Sequence, residues 1–241
     1  MKQKICLIGG TGLRSSDLFN NFKPVKIKNK YGRAVIFRQG DIFFIQRHLG
    51  NLPPHQINFK AYFKALADLG VKKIISFNSV GSLKPSLKSP GLLIPHDFIC
   101  LNSGPTFFND KIVHNTPVFS KELRGLLINI CGRINSPLYK KGIYLQTTGP
   151  RFETAAEVKM FSKFADVVGM TLASEVILAA EIGAPIAALS SIDNYSNGVS
   201  GHLDYKTGAE KNLKIVEGIV KKLLIINNQG NGLRIKSAMT K

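Results

Sequence analysis

Short, wholly apolar runs alternate along this chain with stretches whose apolar residues recur every three or four positions, and glycine or proline marks most of the switches. Ile5-Cys6-Leu7-Ile8 opens into Gly9-Gly10-Thr11-Gly12, the pattern of a buried strand entering a tight turn. Ala34 to Phe37 and Ile42 to Ile45, parted by Arg38-Gln39-Gly40-Asp41, predict a hairpin. Ile57 to Leu69 has helical spacing and stops at Gly70. Ile74 to Phe77 predicts a strand that breaks into Asn78-Ser79-Val80-Gly81-Ser82. Leu92 to Leu101 and Gly142 to Thr148 predict further strands, the second ending at Gly149-Pro150. Leu123 to Ile134, Thr154 to Phe164 and Ser174 to Ile182 predict helices, with Val167-Val168 extended between the last two. Pro185 to Ile192 predicts a strand and Gly208 to Ile226 an amphipathic helix, followed from Asn227 by a polar, frayed tail.

Strands apolar enough to be covered on both faces, alternating with helices, predict an α/β sandwich around a largely parallel or mixed sheet. No repeat or linker interrupts the pattern, so residues 1–241 read as one domain. In such folds chemistry gathers where strands end. Four glycine-marked exits stand out: Gly9 to Gly12, Asn78 to Ser82, Thr147 to Phe152 and Ser191 to Gly198. Arg47-His48, after the hairpin, makes a fifth.

Composition narrows the classes. With 44% hydrophobic residues the 241-residue chain can bury a substantial core, which excludes disorder. No stretch reaches the ~18 uninterrupted apolar residues of a membrane helix. The apolar run after Met1-Lys2-Gln3-Lys4 is too short for a secretory leader, so the expected compartment is the cytoplasm. Cys6, Cys100 and Cys131, an odd number at unrelated spacings, read as reduced core thiols. Five dispersed histidines argue against a metal centre. The net charge of +18 comes from scattered lysines, densest from Lys23 to Arg33, which reads as an exposed connection between strands. A scattered coat does not build a nucleic-acid face, although its field attracts small anions.

Gly9-Gly10-Thr11-Gly12 lacks the third glycine of a dinucleotide fingerprint, Ser15 standing in its place, and no Gly-Lys-Ser/Thr follows. It is either a plain turn or a turn whose amides and hydroxyl hold one small anion. Thr11, Arg47, Ser79 and Thr171 all fall at strand exits, hydroxyls around a single guanidinium suited to one anion. Arg47 alone reads more often as a surface salt-bridge residue. Phe152-Glu153 offers an aromatic plate beside a carboxylate, yet spacing alone favours a core phenylalanine and a first-turn helix acid. Asn194, within Asp193 to Gly198, reads by itself as a turn residue.

The ordered set Ile8 to Leu13, Arg47-His48, Pro53 to Asn58, Asn78 to Gly81, Thr148 to Thr154, and Val168 to Thr171 with Glu175 resembles the trimeric purine nucleoside phosphorylase and methylthioadenosine phosphorylase family, over about residues 4–225. The resemblance implies a three-layer α/β/α sandwich and a homotrimer with sites near subunit interfaces. It implies inorganic phosphate as co-substrate, a nucleoside as the other, and no cofactor, metal, nucleic acid or membrane. By motif, Thr11, Arg47, His48, Ser79 (through its backbone) and Thr171 match the family's phosphate contacts. Tyr144 and Met170 match ribose-lining positions, and Phe152, Glu153, Val168, Gly169 and Asn194 match the purine pocket. Asn194, Glu153 and Arg47 take the catalytic roles. Counting from Met170 puts Asn194, rather than Asp193, at the base-reading position, and the Glu153–Asn194 combination looks like the 6-oxopurine branch.

The chain departs from the family in three places. The loop after Arg47-His48 is shorter, Ser174 stands where proline usually precedes Glu175, and Gly208-Ala209 occupies the place of a histidine that meets the 5′-hydroxyl. An apolar 5′ group, as in methylthioinosine, is the expectation, with His202 as the other candidate donor. The alternatives are a methylthioadenosine phosphorylase, if Asp193 faces the base, a nucleosidase using water, and a non-catalytic basic nucleic-acid-binding protein.

Overall fold

The computed structural model describes residues 3–199 and 205–228, and these build an eleven-stranded mixed sheet. Strand β1 (Ile5–Gly9) lies between β4 (Ile42–Gln46) and β5 (Lys73–Ser82), parallel to both. Beyond β4 the sheet continues antiparallel through β3 (Gly32–Gln39) to the edge strand β2 (Lys23–Asn29). On its other side β5 pairs in parallel with β11 (Ile186–Tyr195), and its carboxyl end also pairs antiparallel with β10 (Val167–Gly169). From β10 the sheet runs on, in parallel, to β9 (Ile143–Gln146) and β7 (Asp97–Cys100). The short strands β6 (Gly91–Leu93) and β8 (Leu138–Tyr139) extend it beyond β11.

Because successive side chains on a strand point to opposite faces, β1 feeds two cores at once. Cys6 and Ile8 pack under α1 (Phe59–Asp68) and α4 (Leu172–Glu181), with Ala61, Leu66, Leu172 and Val176. Ile5 and Leu7 pack under α2 (Lys121–Cys131) and α5 (Tyr205–Asn228), with Leu123, Leu127, Ile219 and Leu223. A smaller cluster seats α3 (Ala155–Phe161) against Leu145 and Val168. The expected three-layer sandwich is what forms. Polar residues set the helix starts: Asn58 caps α1, Ser120 caps α2, and Thr154 with Glu157 makes a reciprocal capping box on α3.

Four expectations change. The lysine run from Lys23 is a strand, with Val25 and Ile27 half-buried and Lys26 and Lys28 exposed, and lysine on an edge strand discourages pairing with another sheet. Leu92 to Leu101 divides into β6 and β7 across Pro95-His96, because its two halves pair with different neighbours and proline donates no ladder hydrogen bond. Asp193 and Asn194 belong to β11 rather than to a turn. Helix α5 continues to Asn228, so buried Asn227 is no part of a frayed tail. Residues 229–241 and His202 lie outside the described residues. All three cysteines are free, Cys6 and Cys131 buried and Cys100 half-buried. No helix among the described residues is long and apolar enough to cross a membrane.

Candidate active site

The carboxyl ends of β1, β4, β5 and β10 surround a cavity of about 310 Å³. Its walls include all the residues expected at the site except Tyr144, and the cavity has two chemically distinct ends.

At one end stand Thr11, Arg47, His48, Ser79 and Thr171. Arg47 follows β4 directly, and its backbone N–H donates to Gly9 O at 3.0 Å, tying it to the glycine turn. The side chain is buried. Its Nη1 donates to Glu175 Oε1 at 2.6 Å and to Ser76 Oγ at 3.1 Å, and Nη2 donates to the Phe77 carbonyl. Nε has no hydrogen-bond partner among the described residues. Ser76 in turn donates to Glu175 Oε2 at 2.5 Å. Burial pushes the Glu175 carboxyl up, opposed by the Arg47 charge and the Ser76 hydrogen bond. Gly10 is needed here, since a Cβ would collide with the guanidinium.

His48 is half-buried, with Nδ1 2.8 Å from the Leu52 carbonyl. A carbonyl only accepts, so Nδ1 carries the hydrogen and the neutral ring keeps Nε2 as an acceptor. Burial lowers the His48 pKa, and the charges of Arg47 and Arg14 act in the same direction. Ser79 donates its hydroxyl hydrogen to Asp193 Oδ2, so a hydrogen bond from Ser79 to a ligand has to come from its backbone.

Tyr144 is a correction. It is fully buried behind the wall, where its hydroxyl accepts from the backbone N–H of Thr171 at 3.2 Å and of Leu172 at 3.3 Å. Burial raises the phenol to about 12. Its place fixes the turn into α4 instead of lining a sugar. Gly169 packs against this ring, and a Cβ there would lie 2.5 Å from the hydroxyl.

The other end holds Phe152, Glu153, Val168, Gly169, Met170 and Asn194. Phe152 is 56% exposed, an open plate rather than the core residue that spacing favoured. Glu153 is 7% exposed, and its Oε1 accepts from Thr147 Oγ1 at 2.7 Å. Asn194 reaches the wall because β11 bulges: Ile192 is level with Val80 and Asn194 with Gly81, leaving Asp193 as the extra residue. A bulge re-aims side chains. Asp193 is fully buried away from the cavity and accepts from Ser79, from Ser191 at 3.2 Å and from Asn212 Nδ2 at 2.8 Å. Its carboxyl is raised by burial, with those hydrogen bonds opposing.

Gly208 on α5 lies against the Asp193 carbonyl so closely that a Cβ would overlap the oxygen, and it does not reach the cavity. No histidine fits at this position. The wall also contains residues that sequence reasoning missed, among them Arg14, Asn51 and Leu52. Arg47 is therefore not the sole arginine lining the cavity. The available signal for Arg14 was its place three residues after Thr11, in the turn already read as anion-binding.

A strand-end cavity with a cationic, hydroxyl-bearing cradle beside an aromatic plate and an amide–carboxylate pair defines a class of α/β enzymes handling an oxyanion together with a planar heterocycle. Residues 4–225 match the Phosphorylase superfamily, and the chain belongs to that family. It is 42% identical to a probable 6-oxopurine nucleoside phosphorylase of Archaeoglobus fulgidus, over 91% of this chain and 96% of the relative. It is 37% identical to a probable S-methyl-5′-thioinosine phosphorylase of Methanocaldococcus jannaschii, over 93% and 88%. An S-methyl-5′-thioadenosine phosphorylase of Pyrococcus horikoshii is 38% identical over 80% and 79%. A crystal structure of an adenosine/methylthioadenosine phosphorylase variant from Schistosoma mansoni has the same fold, with a TM-score of 0.85 at 24% identity, over 95% and 92%.

Proposed function

We propose that this cavity splits 6-oxopurine nucleosides with inorganic phosphate, releasing the free base and a sugar 1-phosphate. Purine nucleoside phosphorolysis, a pentosyl transfer, is the reaction of this chain. The choice of base rests on one observation: Glu153 and Asn194 share the cavity wall while Asp193 is turned into a buried network. A 6-oxopurine presents N1–H and a 6-keto oxygen. Glu153 accepts the first, and the Asn194 amide donates to O6 or N7. Adenine has a bare N1 lone pair that an ionised Glu153 repels. Relatives named for 6-oxopurine and methylthioinosine substrates support this reading.

Catalysis in this reading is positional. Phosphate held by Thr11, Arg47, His48, Ser79 and Thr171 attacks C1′ as the glycosidic bond stretches toward an oxocarbenium-like sugar, and Asn194 and Glu153 stabilise charge on the departing base. The reaction calls for no covalent enzyme intermediate, organic cofactor or metal. A 5′-methylthio group is favoured, because position 208 cannot carry a hydroxyl-binding side chain. The same reading makes the protein a cytoplasmic homotrimer. Assaying inosine, methylthioinosine and methylthioadenosine with phosphate tests it. Methylthioinosine should give the highest kcat/KM, while preference for methylthioadenosine would overturn the base assignment.

A further inference from the structure

We propose that Arg14 is a phosphate-binding residue of this site, supplying the net positive charge that Arg47 does not. The proposal rests on the phosphorolysis reading above and deepens its phosphate subsite.

The charges around the cavity set the problem. Phosphate near neutral pH is a mixture of mono- and dianion, yet the buried guanidinium of Arg47 is neutralised by Glu175 at 2.6 Å. Two of its nitrogens are also engaged by Ser76 and the Phe77 carbonyl. Burial holds His48 toward its neutral form. Glu153 brings a carboxylate to the far wall. Without a further cation, the cavity that has to bind this anion carries no net positive charge of its own, and the general field of the protein is screened by salt within about 10 Å.

Arg14 answers this. It lines the same cavity as Thr11, Arg47 and His48, and its charge is felt by the His48 ring. Its backbone N–H donates to Thr11 O at 3.2 Å, closing the turn that carries Thr11, so the two residues share one anchor. The side chain is exposed and has no ion pair among the described residues. Asp17, the nearest acid in sequence, accepts from Asn20 Nδ2 at 2.9 Å. An uncommitted guanidinium can take a phosphate two-pronged, in the way a guanidinium already locked to a carboxylate cannot. The two arginines thus divide the work: Arg47 is a rigid, pre-oriented donor, and Arg14 brings the charge and closes over the anion from the solvent side.

The test is steady-state kinetics of the full-length enzyme with the preferred nucleoside, varying phosphate and nucleoside separately, for wild type, Arg14→Ala and Arg14→Lys. Arg14→Ala should raise KM for phosphate by about tenfold, the loss of one charge-assisted contact, and leave KM for the nucleoside within about twofold. Its phosphate KM should also depend less steeply on ionic strength, and Arg14→Lys should fall between. Thermal melting checks that the exposed substitution leaves the fold intact. An unchanged phosphate KM in Arg14→Ala, with wild type still saturating in phosphate, overturns the role of Arg14 alone. So does an equal rise in both KM values, which marks general loosening of the site. Turnover by wild type in phosphate-free buffer overturns the phosphorolysis reading itself.

Discussion

Arg47 and Glu175 form an ion pair of 2.6 Å whose side chains are only 3% and 1% exposed. A pair this dry is held by geometry, since each charge gives up its hydration for the other and for Ser76.

Removing one partner should therefore be severe. Glu175→Ala is expected to lower unfolding free energy by about 3–5 kcal/mol, read from urea denaturation, because it leaves the Arg47 charge buried and unpaired. Added phosphate should recover part of that loss by ligand linkage. A loss under about 1 kcal/mol would show that the pair can relax into solvent.

Asn194→Asp should shift relative kcat/KM toward 6-aminopurine nucleosides by at least about tenfold, since a carboxylate has no hydrogen to give O6. The shift should stay incomplete while Glu153 remains. Asp193→Asn is the control with a different signature. It turns a carboxylate that accepts from three donors into an amide with one acceptor, so stability should fall by about 1–3 kcal/mol while the substrate ratio stays put. A changed ratio in Asp193→Asn with none in Asn194→Asp would sink the assignment of Asn194.

Tyr144→Phe removes the oxygen that two backbone N–H groups share at the start of α4. Leaving them unsatisfied costs about 1–3 kcal/mol. Because Thr171 is one of the two, KM for phosphate should rise more than KM for the nucleoside. If Tyr144 touched the sugar instead, the nucleoside KM would carry the effect.

The pH dependence of stability has a definite sign at His48. Its folded pKa lies below the ordinary 6.5, so below that pH the unfolded chain binds the proton more readily. The stability it contributes is present above 6.5 and lost as pH falls. His48→Gln should flatten the stability profile between about pH 7 and 5. An unaltered slope in urea titrations across that range would refute the shift.

What the sequence revealed and what it hid follow the same physics. β1, α1 and β5 were legible because uninterrupted apolar runs and Gly70 leave few other readings. β2 was not, since an edge strand wears lysine and mimics a loop. Asp193-Asn194 has turn composition but sits in a strand, because Ser79, Ser191 and Asn212 satisfy the carboxylate where no local pattern announces them. Motif position placed eleven of the expected residues on one cavity, although it carried no information on which way Tyr144 faces. Arg14 was overlooked because an exposed arginine in a turn looks like any other surface charge.

Strand β5 runs along the cavity wall. Ser76 and the Phe77 carbonyl hold Arg47, Ser79 lines the cavity, and Gly81 is level with Asn194. Residues advance about 3.3 Å along a strand, so Phe77 and Gly81 are about 13 Å apart by the extended geometry of the chain itself. In the phosphorolysis reading, the spacing of the phosphate and purine subsites is thus ruled off on one piece of backbone, as on a measuring stick. Both subsites of that reading then share a single scale, set by a strand at the centre of the sheet.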